Sequence, residues 1–62
     1  MNAWEFVNNL YCSRDRWHWR QKDAHHNVLL ESPPFPLFLS CLADARLHGF
    51  DLTLHGFSLV NE

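Results

Sequence analysis

Between Arg14 and Lys22 the chain alternates with a period of two. Trp17, Trp19 and Gln21 fall on one parity; Arg14, Arg16, His18, Arg20 and Lys22 fall on the other. Successive side chains of a strand point to opposite faces, so the pattern predicts a strand with one buried face and one wet, cationic face. Ala24, His25, His26 and Asn27 are polar and predict a hairpin turn, with Asn27 at positive φ. Residues 28–32, Val-Leu-Leu-Glu-Ser, form a short return strand. Pro33, Pro34 and Pro36 cannot sit in a central strand and end it.

A helix follows from Pro36 to His48. Proline suits a first helical turn, where its missing N–H has no partner to lose, and Gly49 suits the left-handed position just past the end. At 100° per residue Phe38, Cys41, Leu42 and Ala45 make one apolar face. Leu39, Ala43 and Leu47 make another, leaving Ser40, Asp44 and His48 as a narrow polar stripe. A helix with so little polar surface is covered on two sides or meets a second subunit. Phe50, Leu52 and Leu54 then alternate with Asp51, Thr53 and His55, which predicts a further strand. Gly56 marks a bulge or its end, and residues 57–60 are ambiguous.

The first eleven residues read two ways. Asn2 and Glu5 have the spacing of a capping box, and Trp4, Val7 and Tyr11 lie near one helical face. Trp4, Phe6 and Val7 equally suit a strand, and Asn8-Asn9 is poor helix material.

Residues 16–22, Arg-Trp-His-Trp-Arg-Gln-Lys, resemble the strand that opens the repeat of the small YegP-like domains. In that family an aromatic–Arg strand leads through a turn to a short strand ending near Ser or Glu, then an aromatic residue, a helix and a final strand. Residues 28–32 match the second strand, Phe35 the aromatic and residues 36–48 the helix. Two features depart from the family pattern: His25-His26-Asn27 replaces the usual Asn-Gly turn, and the approach to the helix is rich in proline. The resemblance implies a first strand over residues 4–7, favouring strand over helix there, and a ββαβ-type unit that pairs with a second copy, in tandem or as a dimer. It implies no activity, because the family offers no established catalytic residues to carry over.

With 62 residues the chain has room for one core. A chain of this length buries only about 60% of its unfolded surface. It must offset roughly 1–2 kcal/mol per residue of backbone ordering. Hydrophobic residues make up 47% of it, including three Trp and five Phe, which is more than one subunit can readily hide. Burial between subunits is a common remedy at this size. The net charge of −2 gives no global cationic field toward nucleic acid or anionic membranes. Only Cys12 and Cys41 are present, fewer than a small secreted domain usually carries, and residues 1–6 lack a cationic leader and an apolar core. The most apolar stretch, residues 33–43, is far short of the ~20 residues that span a bilayer and holds three prolines. A cytoplasmic protein with reduced thiols, not associated with membranes, is expected.

Arg14, Arg16, Arg20 and Lys22 are four of the five basic residues and share one strand face. Such a stripe can hold phosphates. It can equally pair across strands with Glu5, Glu31 or Asp51 and keep a sheet face soluble. Trp17 and Trp19 lie on the opposite face, away from those cations, and so are expected beneath the helix against Phe38 and Leu42 rather than stacked on bases. His18, His25 and His26 with Cys12 or Cys41 lack the paired spacing of a structural zinc site. Cys41 beside Asp44 and His48 lies on the apolar helix face, where cysteine acts as an inert hydrophobe. Gly49 and Gly56 are the only glycines, which excludes glycine-rich phosphate loops. A chain this small is also expected to have little room for a pocket in the 300 Å³ class.

The predicted architecture is α+β. It is a single domain over residues 1–62 with a three- or four-stranded antiparallel sheet and one helix packed on one face, in βββαβ order. The expected function is a non-catalytic protein-interaction module acting as a homodimer, with the helix edge of Leu39, Ala43 and Leu47, or a sheet edge, as the contact. The alternative is a nucleic-acid-binding accessory protein using Arg14, Arg16, Arg20 and Lys22. No catalytic residue, metal ligand or cofactor is expected.

Overall fold

The computed structural model describes residues 3–54 and 56–62. Residues 3–8 form β1 (Ala3–Asn8), a strand in agreement with the second reading of the N-terminus; Asn2 of the alternative capping box lies outside the described residues. Trp4 and Phe6 are buried on one face and Val7 on the other. A segment apolar on both faces belongs in the middle of a sheet, and β1 is central. The strand order is β3-β2-β1-β4, with β2 (Trp17–Lys22), β3 (Val28–Glu31) and β4 (Phe57–Asn61); α1 (Phe38–Leu47) lies between β3 and β4 in the chain. The α+β class, the βββαβ order and the helix on one face are as the sequence predicts.

The sheet is mixed rather than antiparallel. β1 pairs antiparallel with β2, and β2 with β3, but β4 runs parallel to β1 with Trp4 opposite Phe57 and Phe6 opposite Leu59. Parallel neighbours need a long crossover. Here the chain leaves one edge at β3, packs α1 against β2 and returns at the opposite edge as β4.

Local chemistry accounts for four other departures from expectation. β2 begins at Trp17, so Arg14 and Arg16 lie in the preceding loop. In the β2–β3 turn the positive φ belongs to His26 (66°), not Asn27. Asp23 organises that turn: its Oδ1 accepts from the backbone N–H groups of His25 (2.8 Å) and Asn27 (3.0 Å). These hydrogen bonds, that of Asn27 foremost, hold the Asp23 carboxyl below its ordinary pKa. The helix begins at Phe38 rather than Pro36. Phe35 is tied to Trp17 by reciprocal backbone bonds of 2.6 and 3.0 Å, and Leu37 is still extended (φ −121°, ψ 142°).

Finally, residues 50–54 form a turn instead of a strand. Gly49 has φ 103°, its N–H donates to Arg46 O, and Phe50 N–H donates to Ala45 O, a helix-ending motif that draws Phe50 back under the helix. Asp51 Oδ1 then accepts from Thr53 N–H (2.8 Å) and Thr53 Oγ1 (2.7 Å). Those bonds satisfy the backbone locally and remove it from a sheet ladder. His55, the last residue of the strand expected there, lies outside the described residues.

The core is aromatic. Trp4, Phe6, Trp19 and Phe50 are buried with Cys41 and Ala45, and Trp17, Phe35, Phe38 and Leu42 close around them. Phe6 touches three rings edge-on, Phe38, Phe50 and Phe57, at centroid distances of 5.5, 5.3 and 5.4 Å. Edge-to-face pairs of this kind add to the area they bury. Trp17 packs on Phe38 at 4.9 Å, and Trp19 Nε1–H donates to Asp44 Oδ2 at 2.8 Å, which satisfies its one polar atom.

Candidate functional site

The face of the sheet away from the helix carries Arg20 and Lys22, while Arg14 and Arg16 of the expected stripe lie in the loop before β2. Arg20 stands opposite Glu5 across the β1–β2 pair. Arg20 Nε–H donates to Glu5 Oε1 at 2.6 Å and Nη2 to Glu62 Oε1 at 2.8 Å; Lys22 Nζ lies 3.4 Å from Glu5. The hydrogen bond from Arg20 holds the Glu5 carboxyl below its ordinary pKa, and the same bond raises that of the guanidinium. Half of the stripe is thereby neutralised, by Glu5 and by Glu62, a partner that sequence spacing did not suggest. Arg14 and Arg16 make no ion pair among the described residues. Arg16 Nε is buried without a hydrogen-bond partner, and Arg14 is exposed.

Arg14 lines an open cleft of about 550 Å³ with Asn9, Tyr11, Cys12, Ser13, Asp15, His18 and Pro34. The cleft exceeds what the length of the chain suggests, and the loop joining β1 to β2 supplies most of its lining. Arg14 and Asp15 line it together, with no ion pair between them among the described residues. Cys12 there is exposed and free.

No three His, Cys, Asp or Glu side chains converge on a possible metal position among the described residues. Cys41 is fully buried against the sheet, and burial, with the charge of Asp44 behind it, pushes its thiol up to about 11. That favours the neutral thiol, the less nucleophilic form, at neutral pH. Among the described residues no helix is long and apolar enough to cross a membrane.

The most unusual surface is apolar. Nine of the ten leucines are exposed, Leu42 alone being partly covered. Leu39 (72% exposed), Ala43 and Leu47 (84%) form the outer stripe of α1. On β4, Leu59 lies on the helix-bearing face of the sheet, by its register with Phe6, and is 63% exposed. Phe57 beside it is 42% exposed. Phe57 packs on Phe6 and Phe50 at 5.4 and 5.9 Å, and with Leu59 it forms a half-open apolar shelf next to the helix. Sequence reasoning missed it because residues 57–60 carry no clear alternation and their neighbour, β1, is distant in the chain. Val28, Leu29 and Leu30 are about half exposed along the other edge. Comparison with known protein families, curated proteins and solved structures finds no match for the chain.

Proposed function

We propose that the chain is a non-catalytic, cytoplasmic protein-interaction module that acts as a homodimer. The exposed leucine surface carries the reading. A monomer rarely shows contiguous apolar patches of more than a few hundred Å², and larger ones mark contact sites. The aromatic core is complete without these leucines, so they are free to serve a second surface. Two free cysteines are consistent with a reducing compartment. The resemblance to YegP-like domains, part of the same proposal, also implies pairing with a second copy. Sedimentation equilibrium on the parent and on Leu47→Glu tests it: the parent should be dimeric, and the variant monomeric with unchanged circular dichroism. A parent that is monomeric throughout the micromolar range sinks the reading.

Arg16 supports a second reading, contact with nucleic acid, because its buried Nε lacks a partner and Arg14 stands free nearby. Arg20 and Lys22 contribute little to it while Glu5 and Glu62 occupy them. Replacing both Arg14 and Arg16 by Ala should weaken single-strand binding and flatten its salt dependence by about two charges' worth of slope. Equal binding by variant and parent dismisses it.

A further inference from the structure

Strands lie about 4.8 Å apart and packed helices about 8–10 Å apart, so one helix roofs roughly two strands. This sheet has four strands and one helix. The helix sits over β2, its Asp44 and His48 against Trp19. Its opposite flank carries Arg46 beside Phe50, and Phe50 packs on Phe57 of β4 at 5.9 Å, so that flank faces the β4 half. There Phe57 and Leu59 lie on the helix-bearing face without a helix above them.

The molecule thus presents, on one face, a β4 shelf that the helix does not reach and that Phe50 covers only in part, and a helix whose outer stripe, Leu39, Ala43 and Leu47, is uncovered. A two-fold dimer requires a self-complementary patch, in which residue i meets j and j meets i. Stripe and shelf satisfy that condition side by side. We propose that a second copy covers this face, the α1 stripe of each protomer seated on the Phe57–Leu59 shelf of its partner; this rests on the homodimer reading above. The product has three layers, sheet, paired helices and sheet, with each helix roofing two strands of its own sheet and two of its partner's. A stable interface takes about 800 Å² from each partner, roughly one-fifth of the 4409 Å² surface here. A molecule of 33 × 22 × 16 Å supplies that from a broad face and not from a strand edge.

The helix runs from the Trp17 end of the sheet toward the Trp4 end, and Asp44 bonds Trp19, which shares a register row with Phe6 and Leu59; a two-fold axis along the helix then brings Ala43 of one copy level with Leu59 of the other. In a Cys12→Ser background, Ala43→Cys and Leu59→Cys should each fail to cross-link alone under mild oxidation and should join when mixed. Leu59→Glu and Leu47→Glu should each abolish the dimer, with near-ultraviolet circular dichroism checking that both stay folded. A dimer that cross-links through Ala43→Cys alone, or in no combination, overturns the stripe-on-shelf contact while leaving the homodimer standing. A parent that never dimerises overturns both.

Discussion

Two sets of large apolar side chains do opposite things in this protein. The aromatic rings of Trp4, Phe6, Trp19 and Phe50 are buried, whereas leucines occupy the outside of the helix, both sheet edges and the turn after Gly49. The difference teaches how a chain of 62 residues can hold a core and still display hydrophobic surface. Rings bury 150–250 Å² apiece, so a few of them fill the space beneath one helix. Once that space is full, further apolar residues are pushed outward. Composition alone therefore does not say which residues form the core; ring size and strand parity do.

Four substitutions break or sharpen that contrast. The largest effect is expected for Phe6→Ala, which empties the centre of the ring cluster and should cost about 3–5 kcal/mol in urea unfolding, enough to unfold a marginal domain. Next is Gly49→Ala. A Cβ there meets nothing within 4 Å, so the whole cost, about 1–2 kcal/mol, comes from holding an L-residue at φ 103° while Phe50 is drawn into the core. A neutral result would show that the Phe50 anchor tolerates a different helix ending.

Glu5→Gln should cost about 1 kcal/mol at neutral pH, since it removes the negative charge that pairs with Arg20 and Lys22. The folded-state pKa of Glu5 is depressed, so its contribution is present above the ordinary value of 4.5 and is lost as pH falls through the lower folded value. The gap between parent and variant should accordingly close in acid. Asp23, also depressed, titrates in both proteins and cancels from that difference. The smallest effect belongs to Leu47→Gln. At concentrations where the parent is monomeric it should change unfolding by less than about 0.5 kcal/mol. A loss comparable to Phe6→Ala would erase the distinction between core and surface.

Much of this arrangement is legible in the residues themselves. The alternation around Trp17 and Trp19 marks β2 and its buried side, Gly49 marks the helix end, and the helix shows apolar residues nearly all round. What escapes is non-local or locally ambiguous. Phe50, Leu52 and Leu54 alternate like a strand, yet Asp51 and Thr53 close a turn through short-range hydrogen bonds that a parity count does not see. β4 finds its register only against β1, so neither its strand character nor its parallel direction is visible in residues 57–61. The same distance hides the pairing of Arg20 with Glu62, and with it the neutralisation of half the cationic stripe.

The contact between Trp4 and Trp19, with centroids 5.2 Å apart and planes inclined at 49°, has a spectroscopic consequence. Two indoles this close and oblique share their electronic transitions. Their exciton coupling will add a signed band pair to the far-ultraviolet circular dichroism, in the region usually read for helix content. With a helix of only ten residues, that contribution is large in proportion. A melt followed there reports the docking of two rings as much as the winding of the backbone, and replacing either tryptophan by phenylalanine would change the spectrum of a fully folded protein.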